Sequence, residues 1–440
     1  MMRADETGDA GLDSGRSVRA RYRMLLSEDE LAEMHKRFPY PRFSPAEYER
    51  RYANIRKLMS EHRLDCLLII GGSAAYGRLW FNLRYVTNMM GKAEMATYCF
   101  FPREGDPALV TGPGHSLAGA MLARTVVRNV IVGKPSVLDS IVDEIKQRGY
   151  ERGRIGIVEY DPYTSIPKNH WDFFTRNLPR AEFAFVTKEF IAMRLLKSAE
   201  EIEFLERSAE LGDIGLCAMR DRVTAGMSEG EVFGIVHEAV MKAGGEMGMI
   251  QLASCSMLDP DINDQRPRPV ARVIGDRDII NNELGIFYNG YEAQCGRPVL
   301  TGRPTAQYEA MFEVALEGYR RLVPTLYAGK SSEDSITAME FIKDSEFELY
   351  GGFLQGMLGA NPRHEPQIGF DRVQSSEDRF LFETDGRLVY RVGHVFTLQM
   401  HIVDKQHTRG VFLADFFAIE GHGPRCLNKL PLEMMRVKNQ

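Results

Sequence analysis

Residues suited to chemistry are concentrated in the C-terminal half of the chain. Glu283-Leu284-Gly285 opens a strand-like stretch that runs on to Gln294-Cys295-Gly296-Arg297, with Tyr288 between. His364-Glu365-Pro366 follows, and then RVGHVFTLQMHIV. Carboxylates and imidazoles in such segments are the usual acid–base pairs, and side-chain amides offer a hydrogen-bond donor and acceptor to a polar substrate. Side chains alternate faces along a strand, so Thr397, Gln399 and His401 share one face, while His394, Phe396, Leu398 and Met400 share the other. The segment 259–272 is rich in Asp, Asn, Arg and Pro and reads as an irregular loop. Arg266 or Arg268 in it suits a substrate carboxylate, which a guanidinium holds with two parallel hydrogen bonds.

Other motifs carry less. The six cysteines are scattered, with no CxxC pair and no Cys/His metal spacing, and read as buried reduced thiols of a cytoplasmic protein. Gly112-Pro113-Gly114-His115-Ser116 is glycine-rich, but it lacks the strand–GxGxxG–helix context of a nucleotide site and reads as a turn.

These residues need a scaffold, and the chain supplies two patterns. Residues 1–20 are Gly/Asp/Arg-rich and read as a flexible terminus. From 21 to about 195, apolar runs such as CLLIIGG, TYCFF and RIGIVEY alternate with helical stretches, which argues for an α/β domain with a mainly parallel sheet. Ser44-Pro45 and Ser198 read as helix caps, Ser198 with Glu201 three residues on. From 196 to 440 long helices precede strands, as in an α+β domain with helices on an antiparallel, curved sheet. The 440 residues suit two domains, and 44% hydrophobic with 26% charged residues is an ordinary globular composition. The net charge of −6 gives no basic field for nucleic acid. No apolar run approaches the length of a membrane span, and the first residues lack the apolar core of a secretory signal.

Five segments in order resemble the pita-bread superfamily of creatinase, prolidase, methionine aminopeptidase and dimethylsulfoniopropionate lyase. They are Asn82-Leu83-Arg84-Tyr85-Val86-Thr87-Asn88; Arg194 to Ile202; the Glu283–Arg297 hairpin, similar to "D-x-G … G-Y-x-x-D-x-T-R"; Gly356 to Pro366, similar to "G-H-G-x-G-x-x-x-H-E-x-P"; and Gly393 to Gln399, similar to "G-M-x-x-x-x-E". The resemblance implies an α/β N-terminal domain plus an α+β pita-bread C-terminal domain. It also implies a homodimer, in which aromatic and arginine residues of one N-domain complete the partner's site; Trp80 and Arg84 are among the nearest equivalents.

In metal-dependent members two Asp, one His and two Glu hold two divalent ions, because hard cations close together need several anionic oxygens. Here the five positions read Glu283, Gln294, Met357, Gln399 and Ala414, with Asp415 beside the last but on the opposite strand face. No metal and no other cofactor is expected. The resemblance places Glu283 as base, His364 as proton donor and Glu365 as its orienting group. Gln294 and Gln399 then hold the substrate, with His401, Tyr288, Arg266, Arg268, Trp80 and Arg84 around it. Creatinase also works without a metal. Its catalytic histidine has no counterpart in the segment before the hairpin, and Gly296 replaces its substrate-holding Glu, so creatine is not expected. The expectation is a metal-independent, creatinase-like hydrolase cleaving a C–N bond of a small polar metabolite. The alternatives are a metal-free lyase, a catalytically silent binding protein and an Xaa-Pro-type metallopeptidase.

Overall fold

The computed structural model describes residues 22–71, 81–89, 96–112, 123–133, 136–159, 166–260, 265, 267–356, 367–370, 372–374 and 387–438. The chain divides into two compact units, Met1–Met193 and Arg194–Gln440.

In the first unit, β1 (Tyr22–Leu25), α1 (Glu28–Arg37), α2 (Pro45–Glu61), β2 (Cys66–Gly71) and α3 (Phe81–Thr87) come first. Then follow β3 (Thr97–Pro102), β4 (Ala108–Thr111), β5 (Asn129–Val132), α4 (Val137–Gln147), β6 (Arg154–Val158), α5 (Lys168–Asn177), β7 (Glu182–Phe185) and α6 (Thr187–Met193). The strands form one seven-stranded sheet in the order β1-β5-β4-β3-β2-β6-β7. Helices pack on both faces, so β2, β3 and β4 are buried along their whole length. The sheet is mixed rather than mainly parallel. The pairs β4–β5, β2–β6 and β6–β7 are parallel, whereas β1–β5, β2–β3 and β3–β4 are antiparallel. The connection 103–107 is too short for a parallel crossover, which forces β3 and β4 into a hairpin.

The second unit opens with α7 (Ala199–Arg222) and α8 (Glu229–Lys242). Ser198 and Ser228 cap them, each in a reciprocal capping box with the glutamate three residues on. One sheet is built from β8 (Glu246–Ser256), β9 (Asp278–Tyr288), β10 (Tyr291–Cys295), β11 (Val299–Leu300) and the C-terminal Met435–Arg436 strand. After α9 (Ala306–Leu322) and α10 (Ser332–Met339), a second sheet contains β12 (Glu348–Leu349), β13 (Leu354–Gly356), β14 (Gln367–Gly369), β15 (Arg372–Gln374), β16 (Val395–Val403), β17 (Gly410–Glu420) and β18 (Gly423–Cys426).

Each sheet buries one face against helices. Leu284 and Ile286 of β9 join Leu211, Leu216, Val236 and Val240 of α7 and α8 in one core. Phe396, Leu398, Met400 and Ile402 of β16 join Met311, Phe312, Ala315 and Tyr319 of α9 in another. With period-two alternation, Glu283 of β9 and Thr397, Gln399 and His401 of β16 must then point the other way. The two sheets meet along an edge. A Gly296–Ala414 bridge joins them, and the Asn281 side chain donates to Gly410 O at 2.8 Å and accepts from Phe412 N at 3.2 Å.

Candidate active site

A two-residue turn sets the register of the site. Asn289 and Gly290 both have positive φ, 48° and 80°, as a tight β9–β10 hairpin with right-handed strand twist requires. Tyr288 therefore faces Tyr291, and Gln294 faces Gly285. Glu283, Gly285, Glu292 and Gln294 fall on one face, with Gln251 of β8 directly across from Glu283. Gly285 lacks a side chain, and the Glu292 carboxylate lies over it where a Cβ would collide.

The second strand face comes from β16. Thr397 Oγ1 donates to Gln294 Oε1 at 3.5 Å, which ties the two sheets' polar faces together. Gln399, two residues on, donates from Nε2 to Gly352 O at 2.9 Å and sits directly across from Ala414. His401 shares the face, but its ring is enclosed by Tyr350 and Phe412, with ring centroids 5.3 Å and 5.6 Å away. Burial there pushes the His401 imidazole down to about 4, so it is neutral at physiological pH. The structure thus brings Glu283, Gln294, Gln399 and His401 to adjoining polar faces.

Other expected site residues lie elsewhere. Tyr288 is on the opposite face of β9, its ring 5.3 Å from Phe204 of α7. Arg268 is exposed on its loop, and Arg84 is buried within the first unit. Arg266, His364, Glu365, Trp80 and Met357 lie outside the described residues. Glu292 was missed by sequence reasoning, although its spacing of two from Gln294 already placed it on the same face.

Strand parity separates two neighbours from the site. Cys295 points to α7, where a Cβ on Gly212 would approach its sulfur to 2.6 Å, and burial raises its thiol well above the ordinary value. It is no nucleophile in that state. Asp415, beside Ala414, turns to Arg297 and receives its Nη2 at 2.7 Å; both side chains are buried. A cavity of about 330 Å³ at the start of α7 is lined by Lys197, Glu203, Val392, Glu420 and Arg425. Arg425 bonds Glu420 and Glu206, and Lys197 Nζ donates to the carbonyls of Arg194 and Leu195.

Residues 203–420 match metallopeptidase family M24. An Xaa-Pro dipeptidase of Pyrococcus horikoshii is 24% identical over 345 residues, covering 76% of this chain and 89% of the relative. The creatinase of a Bacillus species is 22% identical over 195 residues, 44% of each chain. The crystal structure of an X-Pro aminopeptidase from Thermotoga maritima superposes with a TM-score of 0.70 at 19% identity, over 88% of this chain and 99% of that one. At that identity the likeness shows the fold: an N-terminal α/β domain followed by a C-terminal pita-bread domain.

The comparisons correct the expected function. Similarity to the Xaa-Pro dipeptidase covers far more of the chain than similarity to creatinase, and the matching family is one of metallopeptidases. A metal-independent, creatinase-like hydrolase of a small polar metabolite is therefore not retained. A metallopeptidase family implies metal ions at this site, yet the residues present do not fit a pair of them. Gln294 and Gln399 are neutral amides whose remaining polar atoms, Nε2 and Oε1, are buried without a hydrogen-bond partner among the described residues, and Ala414 offers a methyl group. Two adjacent divalent ions need several carboxylates. Among the described residues, no group of three or more His, Cys, Asp or Glu is placed to hold an ion.

Proposed function

Because the chain belongs to the pita-bread superfamily, we propose that its C-terminal domain is a hydrolase acting on the peptide C–N bond of a short peptide. The match of residues 203–420 to metallopeptidase family M24 carries this reading. Glu283 and Glu292 supply carboxylates on the polar face of the β9–β10 hairpin, and the resemblance assigns His364 and Glu365 the roles of proton donor and orienting group. Gln294 and Gln399 hold the substrate. The test is to incubate the purified protein with a panel of dipeptides, prolyl and non-prolyl, and follow release of free amino acids. Release from at least one dipeptide, lost on Glu283→Gln, is the expected result.

The replacement of anionic ligands by Gln294, Gln399 and Ala414 favours a second reading, a peptide-binding protein without turnover. Peptide binding with no amino-acid release from any dipeptide would select it. No helix among the described residues is long and apolar enough to cross a membrane. We further propose a homodimer in the cytoplasm. Sedimentation velocity at micromolar concentration should give about twice the 49.9 kDa chain mass, and a monomer would overturn the proposal.

A further inference from the structure

The amides at the former metal pocket are arranged in a way that a decayed site would not require. Each glutamine uses one end of its amide internally. Gln399 uses its NH₂ on Gly352 O, and Gln294 uses its carbonyl on the Thr397 hydroxyl. What remains is one donor, Gln294 Nε2, and one acceptor, Gln399 Oε1. Both are buried without a hydrogen-bond partner among the described residues, and both residues are at least nine-tenths buried. An unsatisfied buried polar atom is costly, so native proteins seldom leave two together unless something else completes them. The atoms belong to adjoining positions. Gln294 is tied to Thr397, and Gln399 is the next residue on the same face of β16. Across from Gln399, Ala414 is a methyl where the superfamily's pattern has a longer acidic side chain, so that position brings no carboxylate beside the acceptor. Phe412, paired with His401, makes the neighbouring wall aromatic and uncharged.

We infer that this pocket receives the secondary amide of a peptide ligand, –CO–NH–, in place of a pair of divalent ions. Gln294 Nε2 donates to the ligand's carbonyl oxygen, and Gln399 Oε1 accepts from its N–H. The inference rests on the reading above that the ligand is a short peptide, and it adds a selectivity. A peptide bond to proline has no N–H. It would satisfy Gln294 and leave Gln399 Oε1 without a partner. A site that offers a buried polar group rejects a ligand lacking the matching group, here by about ten- to a hundredfold. The chain should therefore prefer non-prolyl peptide bonds, unlike the Xaa-Pro dipeptidase it resembles.

The test isolates that one hydrogen. Alanyl-glycine, alanyl-sarcosine (the same dipeptide with the peptide nitrogen methylated) and alanyl-proline are titrated into the full-length protein by calorimetry, with KM replacing Kd for any that is turned over. Alanyl-glycine should bind at least tenfold tighter than the other two. Gln399→Met, of similar length but without the acceptor, should erase the difference while retaining the wild-type melting temperature within a few degrees. Gln294→Met should weaken all three alike. In parallel, Mn²⁺ and Zn²⁺ titrations should show no stoichiometric binding that Gln399→Met removes. Equal affinity for alanyl-glycine and alanyl-sarcosine overturns the inference and leaves the peptide reading intact. Stoichiometric metal binding lost in Gln399→Met also overturns it. If none of the dipeptides binds, the peptide reading and the inference fall together. Selective binding without amino-acid release supports the inference and removes only the hydrolase.

Discussion

Replacing Arg297 by methionine should destabilise the C-terminal unit by about 3–5 kcal/mol, read as a lowered denaturant midpoint, because the change strands a buried carboxylate. Arg297 is fully buried at the junction of the two sheets. Its guanidinium donates to Asp415 Oδ1 at 2.7 Å and to the carbonyls of Gly296, Ala414, Leu430 and Pro431. Methionine fills most of the volume and makes none of these bonds. Burial already pushes the Asp415 carboxyl up to about 6, against the opposing pull of Arg297, with Asp213 raising it and Tyr319 lowering it. Without the guanidinium the carboxyl should rise further. A raised carboxyl stabilises the fold most below its unfolded value near 4 and loses that contribution as pH rises through its folded value. The Arg297→Met penalty should therefore shrink at pH 4–5 relative to pH 8. Removing both charges, as in Arg297→Met with Asp415→Leu, should recover part of the loss. A single variant as stable as wild type at pH 8 would overturn this expectation.

Much of the site's placement was legible in the sequence, and the reason is periodicity. A two-residue Asn289-Gly290 turn between alternating strands leaves one register, and a slip of one residue would bury Glu283 among Leu211 and Val236. That is why the opposite orientation of Cys295 and Asp415 could be read from residue number alone. The same arithmetic places Tyr288, five residues from Glu283, on the helix side, although it was expected among the substrate-binding residues. Glu292 was passed over because the motif match drew attention to ligand positions rather than to the whole strand face. The mixed first sheet was less legible. Hydrophobic runs reveal strands but not their partners, and only the short 103–107 connection distinguishes a hairpin from a crossover. The reaction was misread because the five ligand positions were weighed above the character of the whole chain. Those positions speak to single side chains, whereas the similarity to metallopeptidase family M24 extends over residues 203–420.

Glu283→Gln should lower kcat/KM on the best dipeptide by about a hundredfold or more, the usual contribution of a proton-accepting group at the reacting centre. Two carboxylates compete for that role, and their settings differ. Glu292 is fully buried over Gly285 at the turn end of the hairpin, whereas Glu283 keeps partial exposure and stands across from Gln251. A base must reach a water or substrate proton within about 3 Å, which favours the part-exposed group. Its isosteric amide keeps the shape and removes the base, so the melting temperature should hold while turnover falls. Glu292→Gln should act in the other direction, lowering stability more than turnover. His401 is a weaker alternative because its ring is buried between Tyr350 and Phe412 and is already neutral. Cys295 is weaker still, since its thiol faces α7. Wild-type turnover in Glu283→Gln, with a hundredfold loss in Glu292→Gln, would move the base two residues before Gln294 and keep the chemistry on the same strand face.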